Sequence, residues 1–98
     1  MLVKIHKGSR LVIAICDSEL IGKKFEEGNM QLDLTGGFFK GDEKTREEVK
    51  EIIEDGRQED ACFNIVGEES VELCKEMGVV KDEGVEEIDG VLVGLVLL

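Results

Sequence analysis

The sequence predicts an α+β fold: a mixed or antiparallel sheet that starts with a β-hairpin and packs against about three short helices. Three observations predict it. Two strand-like runs, residues 2–7 and 11–16, are separated by the turn signal Gly8-Ser9. A capping box, Thr45-Arg46-Glu47-Glu48, precedes apolar residues at helical spacing. A third strand-like run, residues 62–66, passes through Gly67 into another helical segment. At 98 residues the chain fits one domain, 1–98, since a second unit would have too little core to stand alone.

Each element follows from local pattern. In residues 2–7, Val3 and Ile5 alternate with Lys4 and His6, as in a half-buried strand. Residues 11–16 are continuously apolar and β-branched, which suits a strand covered on both faces. Together they form an antiparallel hairpin. Asp17 and Ser18 are good N-cap residues, and Leu20, Ile21, Lys24 and Phe25 fall at helical spacing. With Gly28 as a left-handed stop, residues 18–27 are expected to form a short helix, weakened by Gly22. Met30, Leu32 and Leu34 alternate with Gln31 and Asp33 as a strand. A glycine-rich loop then holds Phe38 and Phe39, one expected to plug the core and the other to be exposed. Val49, Ile52 and Ile53 anchor the helix after the capping box, and Gly56 is expected to end it. Residues 68–77 form the last helix, closed by Gly78. Residues 79–80 and 85–88 are short extended pieces around an acidic turn, and the run from Val91 to Leu98 is a final apolar strand.

Charge narrows the function. The chain holds 23 acids and 12 bases, for a net charge of −11. That excludes a polyanion grip over the whole surface, and no DNA partner is expected. Residues 1–41 hold six bases against five acids, whereas residues 42–98 hold six against 18. Partner contact is therefore expected on the opening forty-odd residues, where Lys4, Lys7, Arg10, Lys23 and Lys24 can gather and Lys40 follows Phe38 and Phe39. Without Tyr or Trp, base stacking has few candidate rings. The longest apolar run, interrupted only by Gly94, is too short for a membrane helix of ~20 residues, and no signal-peptide order opens the chain. A cytoplasmic protein with no membrane partner is expected. Four amides (Asn29, Gln31, Gln58 and Asn64) and abundant Glu suit a thermophile.

Little points to catalysis or cofactors. Cys16, Cys62 and Cys74 are odd in number and lack C-x-x-C spacing, so buried apolar thiols are expected rather than a metal site or disulfide framework. The runs of Glu and Asp read as solvated faces, not as an EF-hand. His6, the only imidazole, lacks a nucleophile motif around it and reads as an exposed strand residue. The junction at Gly67 offers a helix N-terminus to an anion, although Glu68 and Glu69 oppose one and ordinary capping is the alternative. The apolar tail from Val91 to Leu98 needs cover, either as an internal strand or as a homodimer contact.

Two blocks carry a family resemblance: residues 20–28, Leu-Ile-Gly-Lys-Lys-Phe-Glu-Glu-Gly, and residues 64–68, Asn-Ile-Val-Gly-Glu. With Val12 to Asp17, Leu32-Asp33-Leu34, Phe38-Phe39-Lys40-Gly41, Ser70-Val71-Glu72-Leu73 and Gly78, they make the chain resemble a small archaeal family, domain of unknown function 424. The resemblance spans residues 2–91. It implies an archaeal cytosolic protein with no assigned reaction, with a pointer toward translation. The family commonly closes on a Pro-His segment, and this chain has an apolar tail instead. The resemblance also implies that the two blocks frame any site. Together with the aromatic–basic cluster at Phe38-Phe39-Lys40, this makes Lys23, Lys24, Phe39, Lys40, Asn64 and Gly67 the candidate binding residues, and the residues themselves suggest no catalytic or metal-ligating set and no cofactor. The expected function is a non-enzymatic accessory module for a protein or RNA partner, with the resemblance pointing to translation. The alternatives are a ligand-binding domain or enzyme at Gly67, and a structural homo-oligomer built on the last strand.

Overall fold

The computed structural model describes residues 1–97. The expected opening hairpin is present: β1 (Leu2–His6) and β2 (Val12–Cys16) pair antiparallel from Leu2↔Cys16 to His6↔Val12. β-branched residues favour this extended backbone, and alternation sends Val3, Ile13 and Ile15 into the core.

Residues 18–27 are not a helix. A single 3-10 turn, Ser18–Leu20, is followed by β3 (Lys24–Glu27), which pairs antiparallel with β4 (Met30–Asp33) as a separate two-stranded sheet. Gly22 takes φ +84° and Gly28 φ +60°, the latter at the hairpin turn. The ladder continues past β3 and β4, where Leu34 N–H donates to Lys23 O (2.8 Å) and Gly22 N–H to Leu34 O (2.7 Å). The helical spacing of Leu20, Ile21 and Phe25 is thus overridden by a cross-strand pair, Phe25↔Leu32, that packs on the main sheet.

β5 (Asp42–Glu43) adds two residues to the free edge of β1, with Leu2↔Glu43 and Val3↔Asp42. α1 (Arg46–Gln58) begins at the expected capping box: Glu48 N–H donates to Thr45 Oγ1 (3.2 Å) and Thr45 N–H to Glu48 Oε1 (2.9 Å). The Thr45 N–H donated to it holds the Glu48 carboxyl below its ordinary range. Gly56 does not end the helix. It is buried inside it, because a Cβ there would lie 2.4 Å from Ile13 Cδ1, so a bare backbone lets α1 press onto β2.

β6 (Cys62–Val66) lies parallel to β2, and α2 (Glu68–Glu76) follows directly. β7 (Val85–Ile88) and β8 (Val91–Val96) close the sheet through an Asp89-Gly90 turn in which both residues have positive φ, as a I′ hairpin requires. The strand order is β5-β1-β2-β6-β8-β7. Among the described residues, two α-helices and two 3-10 turns, Ser18–Leu20 and Asp82–Gly84, stand where about three helices were expected. The apolar tail is an internal strand between β6 and β7, and Leu98 lies outside the described residues.

The core has two parts. Val49 and Ile53 of α1 and Val71, Leu73 and Cys74 of α2 cluster with Ile13, Ile15, Phe63 and Ile65. A smaller cluster joins Cys16, Val66 and Val91 to Leu34, with Phe25, Leu32 and Phe39 partly buried against it. No described helix is long and apolar enough to cross a membrane.

Candidate functional site

Parallel pairing of β2 with β6 brings their C-terminal ends together, Cys16 opposite Val66. Asp17 therefore sits beside Gly67, where Asp17 N–H donates to Val66 O (3.0 Å). The Asp17 carboxylate is only 3% exposed. Its Oδ2 accepts from Glu69 N–H (3.0 Å), and its Oδ1 accepts from Ser70 N–H (2.8 Å) and the Ser70 hydroxyl (2.6 Å). The carboxylate is thus the anion at the α2 N-terminus, satisfying free donors and the helix dipole. Gly67 makes this possible, with φ +107° and a Cβ position 2.2 Å from Asp17 Cγ. The N-terminus expected to receive a ligand anion is filled by the chain itself. Asn64 lies half-buried in β6, paired with Ala14 and Leu95 rather than with that terminus.

The expected lysine cluster is redistributed. Lys24 opens β3 opposite Asp33 and forms an ion pair with Glu26 (3.7 Å). Lys23 is exposed at the base of the same hairpin. Neither lines a groove of ≈ 470 Å³ formed by Lys4, Lys40 and Lys44 with the apolar Val3, Ile5 and Ile52 and the acid Asp42. The short β5 pairing builds this groove by laying residues 40–44 along the edge of β1. Lys44 N–H donates to Met1 O (2.8 Å), and Gly41 passes so close that a Cβ would lie 1.9 Å from Val3 O. None of Lys4, Lys40 and Lys44 has a carboxylate within ion-pairing distance among the described residues. Beyond Ile5 and Ile52 a smaller recess of ≈ 200 Å³ carries Lys7 but also Asp55 and Glu59, so the positive character is confined to the Lys4 end.

Beside the groove, Phe39 is the ring packed into the smaller core cluster, and Phe38 is the exposed one, at 45%. Phe38 stacks on His6 with centroids 4.4 Å apart and planes 15° apart, and Phe38 and Phe39 form a T-shaped pair with centroids 5.1 Å apart. His6 Nε2 also lies 2.9 Å from Phe38 O. Of the expected site residues, only Lys40 lines the groove. Lys44 and the His6–Phe38 stack were missed, because the β5–β1 pairing that assembles them leaves no local pattern.

All three cysteines are buried, as expected for apolar packing residues. Burial pushes the Cys74 thiol up to about 12, and burial together with the nearby Asp17 and Glu19 charges does the same for Cys16, from an ordinary 9.0. Native protein should therefore react slowly with a thiol-specific disulfide reagent at neutral pH, and unfolded protein quickly. Because folding raises these thiol pKa values, their contribution to stability is complete below pH 9 and declines as pH rises from there toward 12. Denaturant midpoints should fall across that window, and a Cys16→Ser, Cys74→Ser variant should show a shallower decline.

Fold and groove together define a small α+β protein in which three lysines without ion pairs among the described residues, Lys4, Lys40 and Lys44, line one groove at the edge of a mixed sheet. The chain belongs to the family described as protein of unknown function, DUF424, whose model matches residues 6–96. It is similar in fold to a crystal structure of an uncharacterized conserved protein from Methanopyrus kandleri, at 23% identity and a TM-score of 0.81 over 96% of this chain and 87% of that one. No curated protein matches it.

Proposed function

We propose that the protein is a non-enzymatic accessory module that binds RNA through the Lys4–Lys40–Lys44 groove, within translation in a heat-adapted archaeal cytoplasm. The observation that carries this reading is three lysines without ion pairs around one groove in a chain of net charge −11. Among the described residues, Lys24, Lys50 and Lys75 are paired with acids, and the other lysines without an ion pair, Lys7, Lys23 and Lys81, do not line this groove. The remaining acids repel a polyanion only weakly beyond a Debye length of ~8 Å at physiological salt, so the local charge governs contact. Archaeal origin and the translational setting rest on the family resemblance, and heat adaptation on the Glu-rich, amide-poor composition.

Fluorescence anisotropy with a labelled oligoribonucleotide tests the reading. Affinity should fall with salt with a log–log slope of about −2, from ~0.7 per phosphate neutralised in a single strand. A Lys4→Glu, Lys40→Glu, Lys44→Glu variant should lose at least ~10-fold, and undiminished binding by that variant would reject the groove. Preference for an acidic protein segment over RNA would redirect the assignment to a protein partner.

A homo-oligomer is favoured by one separate observation: Leu95 and Leu97 of the C-terminal run are 52% and 71% exposed. Because β6 and β7 occupy both edges of β8, such a contact would use side chains rather than strand pairing. Sedimentation showing a monomer at every concentration would remove it. The ligand-site alternative at Gly67 has its donors taken by Asp17.

A further inference from the structure

We infer that the groove takes RNA as a single strand, with one unpaired base stacking on the open face of Phe38. The inference rests on the RNA reading above and adds a mode of recognition to it. One face of the Phe38 ring lies against His6, yet the residue remains 45% exposed, so it offers a surface for a third ring. The stack is prepared in advance. Phe38 stacks on His6 and makes an edge contact with Phe39, and its carbonyl lies 2.9 Å from His6 Nε2. Phe39 in turn is anchored against the core. A loop residue held this way in a glycine-rich segment loses little freedom when a base arrives.

The platform is also in the right place. Lys4 and His6 are two residues apart on one face of β1, about 7 Å at the strand rise, and Lys40 follows Phe38 by two residues. The ring thus adjoins the groove along the chain, Phe38 through Lys40 and His6 through Lys4, so a strand whose phosphates lie among Lys4, Lys40 and Lys44 can reach it. Duplex RNA keeps its bases stacked inside the helix and its major groove too deep and narrow to read, so only an unpaired base reaches a side-chain ring.

The test compares three probes (a single-stranded oligoribonucleotide, its blunt duplex and inorganic polyphosphate) against wild type, Phe38→Ala, Phe38→Tyr and Lys40→Glu. Thermal unfolding confirms that each variant is folded. Wild type should prefer the single strand to the duplex. Phe38→Ala should weaken the single strand about tenfold while leaving polyphosphate within about twofold, and Phe38→Tyr should retain binding. Lys40→Glu should weaken single strand and polyphosphate alike. If Phe38→Ala changes nothing, or weakens RNA and polyphosphate equally, stacking is overturned while the electrostatic reading stands. Equal affinity for duplex and single strand also overturns it. If wild type binds no RNA at all, both readings fall together.

Discussion

Asp17→Ala is expected to destabilise the fold by ~3–5 kcal/mol, the range for stripping one partner from a buried charged network. In a domain of this size that corresponds to a fall of roughly 15–30 °C in Tm. The change removes the acceptor for Glu69 N–H, Ser70 N–H and the Ser70 hydroxyl at once, and Ser70 is fully buried. Asp17→Asn keeps one amide oxygen and should lose about half as much, and Ser70→Ala, which removes one donor, about 1 kcal/mol. Gly67→Ala should match Asp17→Ala, because its methyl would overlap the Asp17 carboxylate and its φ of +107° is strained for any L side chain. Chemical denaturation measures these differences. A loss below ~1 kcal/mol for Asp17→Ala would mean that water reaches those donors and the carboxylate is dispensable.

Gly41→Ala is the second large effect, at ~2–4 kcal/mol, and it connects stability to the groove. The added methyl would meet main-chain atoms, Val3 O at 1.9 Å and Lys4 N at 2.7 Å, which cannot rotate aside as a side chain does. Relief requires residues 40–44 to lift from β1, which takes Lys40 and Lys44 away from Lys4. RNA affinity should therefore fall together with the thermal midpoint. Gly37→Ala is the control: it has open space around its Cβ and no positive φ, so it should be neutral or slightly stabilising. Equal melting temperatures for the Gly41 and Gly37 variants would show that the β5 pairing is loose and does not hold the lysines together.

These two glycines show where reading the chain locally succeeds and where it stops. Thr45 and Glu48 lie three residues apart, so the capping box announces its helix in the sequence itself. The runs at β1, β2, β6 and β8 are similarly self-evident from their apolar, β-branched content. Residues 18–27 satisfied two periods at once, since Phe25 lies at helical distance from Ile21 and also alternates with Lys24 and Glu26. The hairpin won because Gly22 and Gly28 supply positive φ and Phe25 gains cover from Leu32 and the main sheet. Gly56 resembles a helix stop for the same kind of reason: what distinguishes it is Ile13, far away in the chain.

Sequence alone was enough for the α+β class, the opening hairpin, the capped helix, the buried thiols and the concentration of acid in the second half, because each depends on neighbours within a turn or a strand. Tertiary structure decided the rest. The parallel pairing of β2 with β6 delivers the Asp17 carboxylate across 52 residues to the α2 N-terminus. The two-residue pairing of β5 with β1 turns Lys4, Lys40 and Lys44 into one groove and leaves Phe38 against His6. Such contacts follow from which sheet edges and faces bury the most apolar surface together, a property of the whole chain that no local spacing records.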